Sequence, residues 1–330
     1  MSDLYPLLLV PEFHERIWGT RDLSPIYSEA PGTAPIGEAW LTADTCKVAN
    51  GPLAGATLGE LCRRYGRELV GESAHETDRF PLLIKFLFPR EKLSVQVHPD
   101  DEGARKLGQP CGKTECWYVV AAKPGAQIGL GLKPGVTKAQ FAQAIRETRA
   151  EELMNWLDIH PDEMIYVDAG TVHAIGPGSI LVETQQNSDT TFRLYDYGRP
   201  RELHVEQGLE AVKERTRAGK VRTACSVGSG TELVSSPSFV VAKISLQKGG
   251  QLTNRRQDGT GPASTVVLVA LEGSGAIECP GAGPLSFNRG EAVVVPAGVA
   301  EFSVKAQWEI RFLTIKLPSS RETAEPTTSL

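Results

Sequence analysis

Residues 92–98 read KLSVQVH, and from Ser94 onward the chain alternates strictly between polar and apolar side chains. In an extended strand successive side chains point to opposite faces, so Ser94, Gln96 and His98 share one face while Val95 and Val97 share the other. The valines are expected in the apolar core between two sheets. The polar trio then lines the floor of a pocket on a face where a packed strand would carry Val or Ile.

Working outward, short apolar or alternating runs bounded by Gly, Pro and Asp recur as PLLIKFLF (81–88), TECWYVVAA (114–122), EMIYVDAG (163–170) and SILVETQQ (179–186), and these read as strands. Three stretches show helical spacing instead: 57–71, 137–157 with Thr137 as its N-cap, and 205–215. Gly (33) and Pro (22) make up about a sixth of the 330 residues, which favours many turns between many short strands. The fold class is therefore mainly β, with short helices inserted between strands.

The length exceeds that of a usual single core, so two units are expected. The apolar pattern fades over 218–236, read as a linker or crossing segment between a first unit, 1–217, and a second, 237–317. The second is a run of strands separated by Gly-rich turns, as in a small jelly roll. Residues 318–330, polar and Pro-containing, are expected to be disordered. An internal likeness links the halves: MIYVDAGTVHAIGPG (164–178) and AVVVPAGVAEFSV (292–304) share a strand, then xAG, then a polar residue three positions past the Gly. That residue is His173 in the first and Glu301 in the second, so the chemistry is expected in the first half.

A formal charge of −5 argues against a general binder of nucleic acid or another polyanion, which carries clustered basic surface. The N-terminal apolar stretch is too short for a membrane span and lacks a secretory pattern, so a cytoplasmic protein is the simplest expectation. Six scattered cysteines with no CxxC pair suggest reduced thiols rather than a disulfide framework or a zinc knuckle.

Gln96, His98, Glu115 and His173 come from short β elements that a barrel can bring together. Two imidazole nitrogens, a carboxylate and an amide oxygen would suit one divalent ion, leaving it net positive towards an oxygen-rich, anionic substrate. Taken singly, each of these residues also fits an ordinary hydrogen-bonded or solvated role, and the bare set would accept iron or manganese as well as zinc.

Four segments, PLLIKFLFPREKLSVQVHPDD, GKTECWYVV, VDAGTVHAIGPG and VETQQNSDTTFRLYDYGR, together with WGTRDL and IGEAWLTAD near the start, resemble the type I phosphomannose isomerases (mannose-6-phosphate isomerases), in their shorter bacterial form. That resemblance covers roughly residues 5–215. It implies a cupin fold, the double-stranded β-helix or jelly roll, with one Zn2+ per chain held by Gln96, His98, Glu115 and His173. The family's catalytic arginine falls on Arg193 in NSDTTFR, an active-site lysine on Lys113 and an active-site acid on Glu183. Ser94 and Lys85 match its phosphate side. The implied activity is aldose-ketose isomerisation of mannose 6-phosphate and fructose 6-phosphate through a cis-enediol, with a sugar phosphate as the small-molecule partner. The base stays open among Glu183, Lys113 and a zinc-bound water.

Other readings compete at this point. Arg193 would be structural if paired with Asp189 or Asp196, and Lys85 could be an edge-strand lysine reaching solvent. A non-catalytic sugar-binding or regulatory cupin would keep the pocket while losing Arg193 or a ligand. A cupin oxygenase would favour a richer histidine set. The helical inserts here are shorter than those many family members carry, which leaves the pocket walls open.

Overall fold

A computed structural model describes residues 4–222, 225–227, 230–255, 264–318 and 326–330. Among the described residues the strands form three antiparallel sheets of five, eight and nine strands. The five-stranded sheet runs Phe192–Tyr195, Val95–Val97, His173–Ile175, Gln127–Leu132 and Met154–Asp158. Facing it, the eight-stranded sheet runs Glu12–Thr20, Ile36–Trp40, Leu82–Leu87, Ser179–Gln186, Glu115–Ala122, Met164–Val167, Gly219–Val221 and Thr328–Ser329. Their inner faces share one core, with Leu87, Trp117, Val119, Ile165 and Leu181 from the larger sheet against Ile128, Leu130 and Ile175 from the smaller. Polar residues on those same faces build the site.

Val95 and Val97 are fully buried, but not between the sheets. They point out of the barrel, into a cluster with Phe141 and Ile145 of the helix Lys138–Arg146 and with Phe192, Leu194 and Val212, onto which the helix Val205–Ala211 packs through Val205 and Leu209. The expectation about their common face holds, and the layer that covers it is different. Alternation separates two faces of a strand without saying whether a sheet or a helix lies over either.

On its other side the eight-stranded sheet is apolar as well. Ile84, Phe86, Tyr118, Tyr166 and Val182 pack against Val267, Val269, Leu313 and Ile315 of the nine-stranded sheet. In that sheet Val266–Glu278 and Glu301–Lys316 pair along most of their length around a second core of Leu268, Phe287, Phe302 and Phe312. Glu301 faces Arg255 at 3.5 Å rather than a ligand set, in keeping with chemistry confined to the first half.

Several sequence expectations are corrected. The helix expected over 137–157 ends at Arg146; Thr148 takes a left-handed φ of 59°, a 3₁₀ turn follows at Ala150–Leu153, and Met154–Asp158 is an edge strand. Thr137 does cap the helix, accepting from the Gln140 amide at 3.2 Å. The stretch 57–71 is two helices, Leu58–Tyr65 and Arg67–Val70, broken at Gly66 where φ is +50°. Over 218–236, read as a linker or crossing segment, the strand Gly219–Val221 pairs with Met164–Val167 in the eight-stranded sheet and the strands Cys225–Val227 and Gly230–Ser235 lie in the nine-stranded one. Thr328–Ser329, within the tail expected to be disordered, pairs with Gly219–Val221; residues 319–325 lie outside the described residues. At the other end Leu7–Leu9 joins the nine-stranded sheet against Ala292–Val295. Both chain ends thus cross the expected division between units, because an edge strand is satisfied by whichever sheet edge offers free backbone groups.

Among the described residues no helix is long and apolar enough to cross a membrane. Cys46, Cys62, Cys111, Cys116 and Cys279 are free thiols, as the spacing suggested.

Candidate active site

Strand register assembles the site. Gln96 lies opposite His173 on one neighbouring strand and opposite Arg193 on the other, so the three side chains form a row on one face. Glu115 reaches the same space from the opposing sheet, and His98 follows directly on the strand Val95–Val97. The candidate ligand atoms of His98, Glu115 and His173 all lie within 4.8 Å of one another.

Both imidazoles are aimed by backbone carbonyls. His98 Nδ1 stands 3.1 Å from the Thr190 oxygen and His173 Nδ1 3.0 Å from the Thr171 oxygen. A carbonyl only accepts, so each Nδ1 carries the proton and each Nε2 turns a lone pair inward. Those Nε2 atoms lie 3.5 and 3.3 Å from the two oxygens of Glu115. Burial pushes the His98 pKa down to about 3, with the Lys113 charge adding to the effect, and burial lowers His173 too. Burial alone would raise Glu115, but the Lys113 ammonium beside it holds it well below the usual carboxylate range.

The outcome is two neutral imidazoles and one carboxylate, acceptors all, converging in a space where none of the three residues is more than 2% exposed. Neither Glu115 oxygen accepts a well-formed hydrogen bond, although Lys113 Nζ stands 3.1 Å from Oε2. The same ammonium lies 3.1 Å from His98 Nε2. One lysine cannot satisfy so many lone pairs. A nitrogen and oxygen donor set of this kind fits a divalent cation. Gln96 borders the set: its Nε2 is 3.0 Å from His173 Nε2 and its Oε1 3.5 Å from Ser94 Oγ, and a half-turn of the amide would exchange those ends and turn the oxygen towards the centre.

Next to this set on the eight-stranded sheet lies a second polar group. Glu183 accepts from Trp117 Nε1 at 3.2 Å and pairs with Lys85 at 3.1 Å. Trp117 in turn sets its ring edge-on to His173 at 5.4 Å. Lys85 is 5% exposed and its strand is flanked on both sides, so it is not an edge lysine reaching solvent. Burial would strip its proton, yet Glu183 and Glu38 raise its pKa.

Arg193 Nη1 donates to the Glu202 carbonyl at 2.8 Å, while its buried Nε has no partner. Asp196 is taken by Arg199 and Arg201, and among the described residues no carboxylate forms an ion pair with Arg193. The structural pairing with Asp189 or Asp196 is absent. Sequence reasoning passed over Trp117, Glu38, Trp40 and Arg16. The first three carry a readable signal, the two-residue period of ECW and EAW that puts each Trp on the face of its Glu.

Two facing sheets around a buried His-Glu-His set, with uncompensated acceptors and basic residues beside them, define a cupin-type enzyme barrel with a metal-binding centre. Residues 7–124 match the family profile "Phosphomannose isomerase type I, catalytic domain". The chain is 35% identical over 321 residues to mannose-6-phosphate isomerase ManA of Bacillus subtilis, covering 92% of this chain and 97% of that one. It is 33% identical to mannose-6-phosphate isomerase of Streptococcus mutans, over 92% and 96% of the two chains. The crystal structure of the mannose 6-phosphate isomerase from Bacillus subtilis superposes with a TM-score of 0.82 at 32% identity, covering 94% of this chain and 99% of that one. The chain belongs to the type I phosphomannose isomerase family.

Proposed function

We propose that the protein interconverts mannose 6-phosphate and fructose 6-phosphate, the activity for which its relatives are named, by a zinc-dependent route through a cis-enediol. The observation that carries this reading is the convergence of His98, Glu115 and His173 as buried acceptors that the single Lys113 ammonium leaves undersatisfied, on the inner face that also presents Arg193.

Gln96, His98, Glu115 and His173 would hold the ion, and Zn2+ there would supply a Lewis-acidic charge that polarises the sugar's oxygens. The remaining work falls to the chain. One proton must leave C2 of the open-chain aldose and return to C1, while a second passes from the C2 oxygen to the C1 oxygen. Of the inner-face carboxylates outside the ligand set, Glu183 lies beside it through Trp117, whereas Glu38 is held in the Arg16 fork, and Glu183 serves as the base for the carbon proton. Lys113, buried against Glu115 and His98, offers a proton donor beside the oxygens. Arg193 brings a permanent charge to the developing enediolate, with its unpartnered Nε available to an oxygen.

Ser94, on the face of Gln96, stays the phosphate-side donor. Lys85 takes a different part from the one its position suggested. A phosphate dianion at its ammonium would meet Glu183 at 3.1 Å and Glu38 at 4.0 Å from the same nitrogen, and that repulsion cancels the attraction. Its charge serves Glu183 instead.

The test is a coupled assay on mannose 6-phosphate with the protein as isolated, after chelation, and after return of Zn2+. Activity lost on chelation and restored by one Zn2+ per chain is expected. No isomerisation by the zinc-loaded protein would end the reading.

A further inference from the structure

Beyond Lys85 the inner face of the eight-stranded sheet carries an alternating chain of charges that ends near solvent. Glu38 stands 4.0 Å from Lys85 Nζ and is itself held by three donors: Arg16 Nε at 2.9 Å, Arg16 Nη2 at 3.1 Å and Trp40 Nε1 at 2.5 Å. The two arginine bonds go to the two different carboxylate oxygens, the bidentate fork that fixes a carboxylate's plane as well as its position. Lys85 Nζ also lies 5.1 Å from the centre of the Trp40 ring. Burial would raise Glu38, but Lys85 and Arg16 pull its pKa down to about 2, so it is ionised throughout the working range.

The backbone makes room for this arrangement. A Cβ at Gly37 would lie 2.5 Å from Arg16 Cβ and 2.6 Å from its Cγ, so only glycine lets the arginine lie across the strand Ile36–Trp40 to reach Glu38. A flexible lysine amine between two carboxylates has no fixed position unless those carboxylates have one. Glu183 is set by Trp117, and Glu38 by Arg16 and Trp40.

We propose that Arg16 and Glu38 are positioning residues of the isomerase site, holding Lys85 so that its charge is divided between Glu38 and Glu183 and Glu183 keeps the orientation needed to take the C2 proton. This rests on the function proposed above. With Glu38 neutral, Lys85, which already stands 3.1 Å from Glu183 Oε2, would lose the counter-pull of Glu38 at 4.0 Å and draw the Glu183 carboxylate out of the orientation set by Trp117. Positional errors of about 1 Å at a reacting group cost on the order of a hundredfold in rate.

The test uses Glu38→Gln and, because Glu38 is buried, also the half-exposed Arg16→Met, each in the full zinc-loaded chain. Both are expected to lower kcat on mannose 6-phosphate about ten- to a hundredfold, with KM within about threefold because the phosphate is held elsewhere. Both should raise the isotope effect on kcat with substrate deuterated at C2. A residue that merely supports the fold would not change that isotope effect. Arg16→Lys keeps the charge but loses the fork, and should recover only part of the rate. Wild-type kcat and isotope effect in both variants would overturn the proposal. So would a crystal structure of Glu38→Gln with Lys85 Nζ and Glu183 unmoved, whatever the enzyme's activity. Lack of isomerase activity in the wild-type protein would instead count against the proposed function, and the crystal structure would still decide the positioning.

Discussion

Val97 and His98 are consecutive residues with opposite duties, and replacing each in turn separates folding from metal binding. Val97 is fully buried among Phe141, Phe192, Leu194 and other apolar side chains outside the barrel. Val97→Ala removes two methyl groups, about 1.6 kcal/mol of transfer free energy at roughly 0.8 kcal/mol per carbon. The cavity left behind adds about 1 kcal/mol. A total of ~2–3 kcal/mol lowers the melting midpoint by about 5 °C if the first barrel unfolds as a unit. Val97→Asp would place an unpaired charge in the same cluster and leave too little stability to fold. His98→Leu keeps much of the volume and gives up the bond to the Thr190 carbonyl, a loss of about 1 kcal/mol, while relieving the crowd of acceptors around Glu115. The measurement is thermal unfolding of the metal-free proteins alongside zinc content by atomic emission. Val97→Ala should melt early and retain one zinc per chain, whereas His98→Leu should melt within a few degrees of wild type and bind no zinc. The reasoning fails if His98→Leu still carries stoichiometric zinc, or if Val97→Ala melts with the wild type.

Arg193→Ala should cut turnover by about a hundred- to a thousandfold, the usual cost of one lost donor to a developing oxyanion, and leave zinc stoichiometry unchanged; zinc lost with activity would mark the arginine as structural. The metal-free protein should be sensitive to mild acid. His98 and His173 are held neutral in the fold, so the unfolded chain takes up protons as pH drops through 6.5 while the folded one does not until about 3 for His98. Stability is then complete above that range, with His98 alone losing about 2 kcal/mol between pH 7 and 5. The depressed Glu115 adds a loss of the same sign at still lower pH. A melting midpoint unchanged from pH 7 to pH 5 would contradict this. Finally, Asp162 accepts from Tyr118 and lies 3.2 Å from Lys243 and 3.5 Å from Arg311 of the nine-stranded sheet. Asp162→Asn should lower the midpoint by an amount equivalent to about 1–2 kcal/mol without altering KM, checked by parallel melting and kinetics.

The grouping of His98, Glu115 and His173 was legible because each sits where strand periodicity or a tight turn fixes its direction. The shared face of Ser94, Gln96 and His98 needed only alternation, and Glu115 and His173 needed only a strand start and the turn before it. What alternation does not encode is the layer beyond a face. Val95 and Val97 read as core residues, but their cover is a helix pair supplied by segments more than 40 residues downstream. The misread helix tail has a similar origin. Leu153, Met154, Trp156 and Leu157 satisfy both a helical and an extended pattern over so short a span, and the left-handed turn at Thr148 that decides between them leaves no residue signature, since Gly or Asn would be its usual mark. The pairing of Arg16 with Glu38 and Lys85 was invisible for another reason. It depends on three adjacent strands in register, and nothing local to any of them names its partner.

The inner face of the larger sheet therefore holds two groups with opposite electrostatic design. Around Glu115 the acceptors outnumber the donors, and Lys113 alone supplies positive charge. Along Glu183, Lys85, Glu38 and Arg16 the charges alternate and sum to zero. An unbalanced group has a large affinity for a cation, whereas a balanced one has little for any ion and holds its members still. Trp117 joins them, donating to Glu183 while its ring rests edge-on against His173. In the proposed reaction a sugar between the two groups would have its oxygens towards the cation-seeking group and its carbon-bound proton towards Glu183. Isomerisation requires this division, because the charge that develops on oxygen and the proton that leaves carbon must be handled by different groups at the same moment.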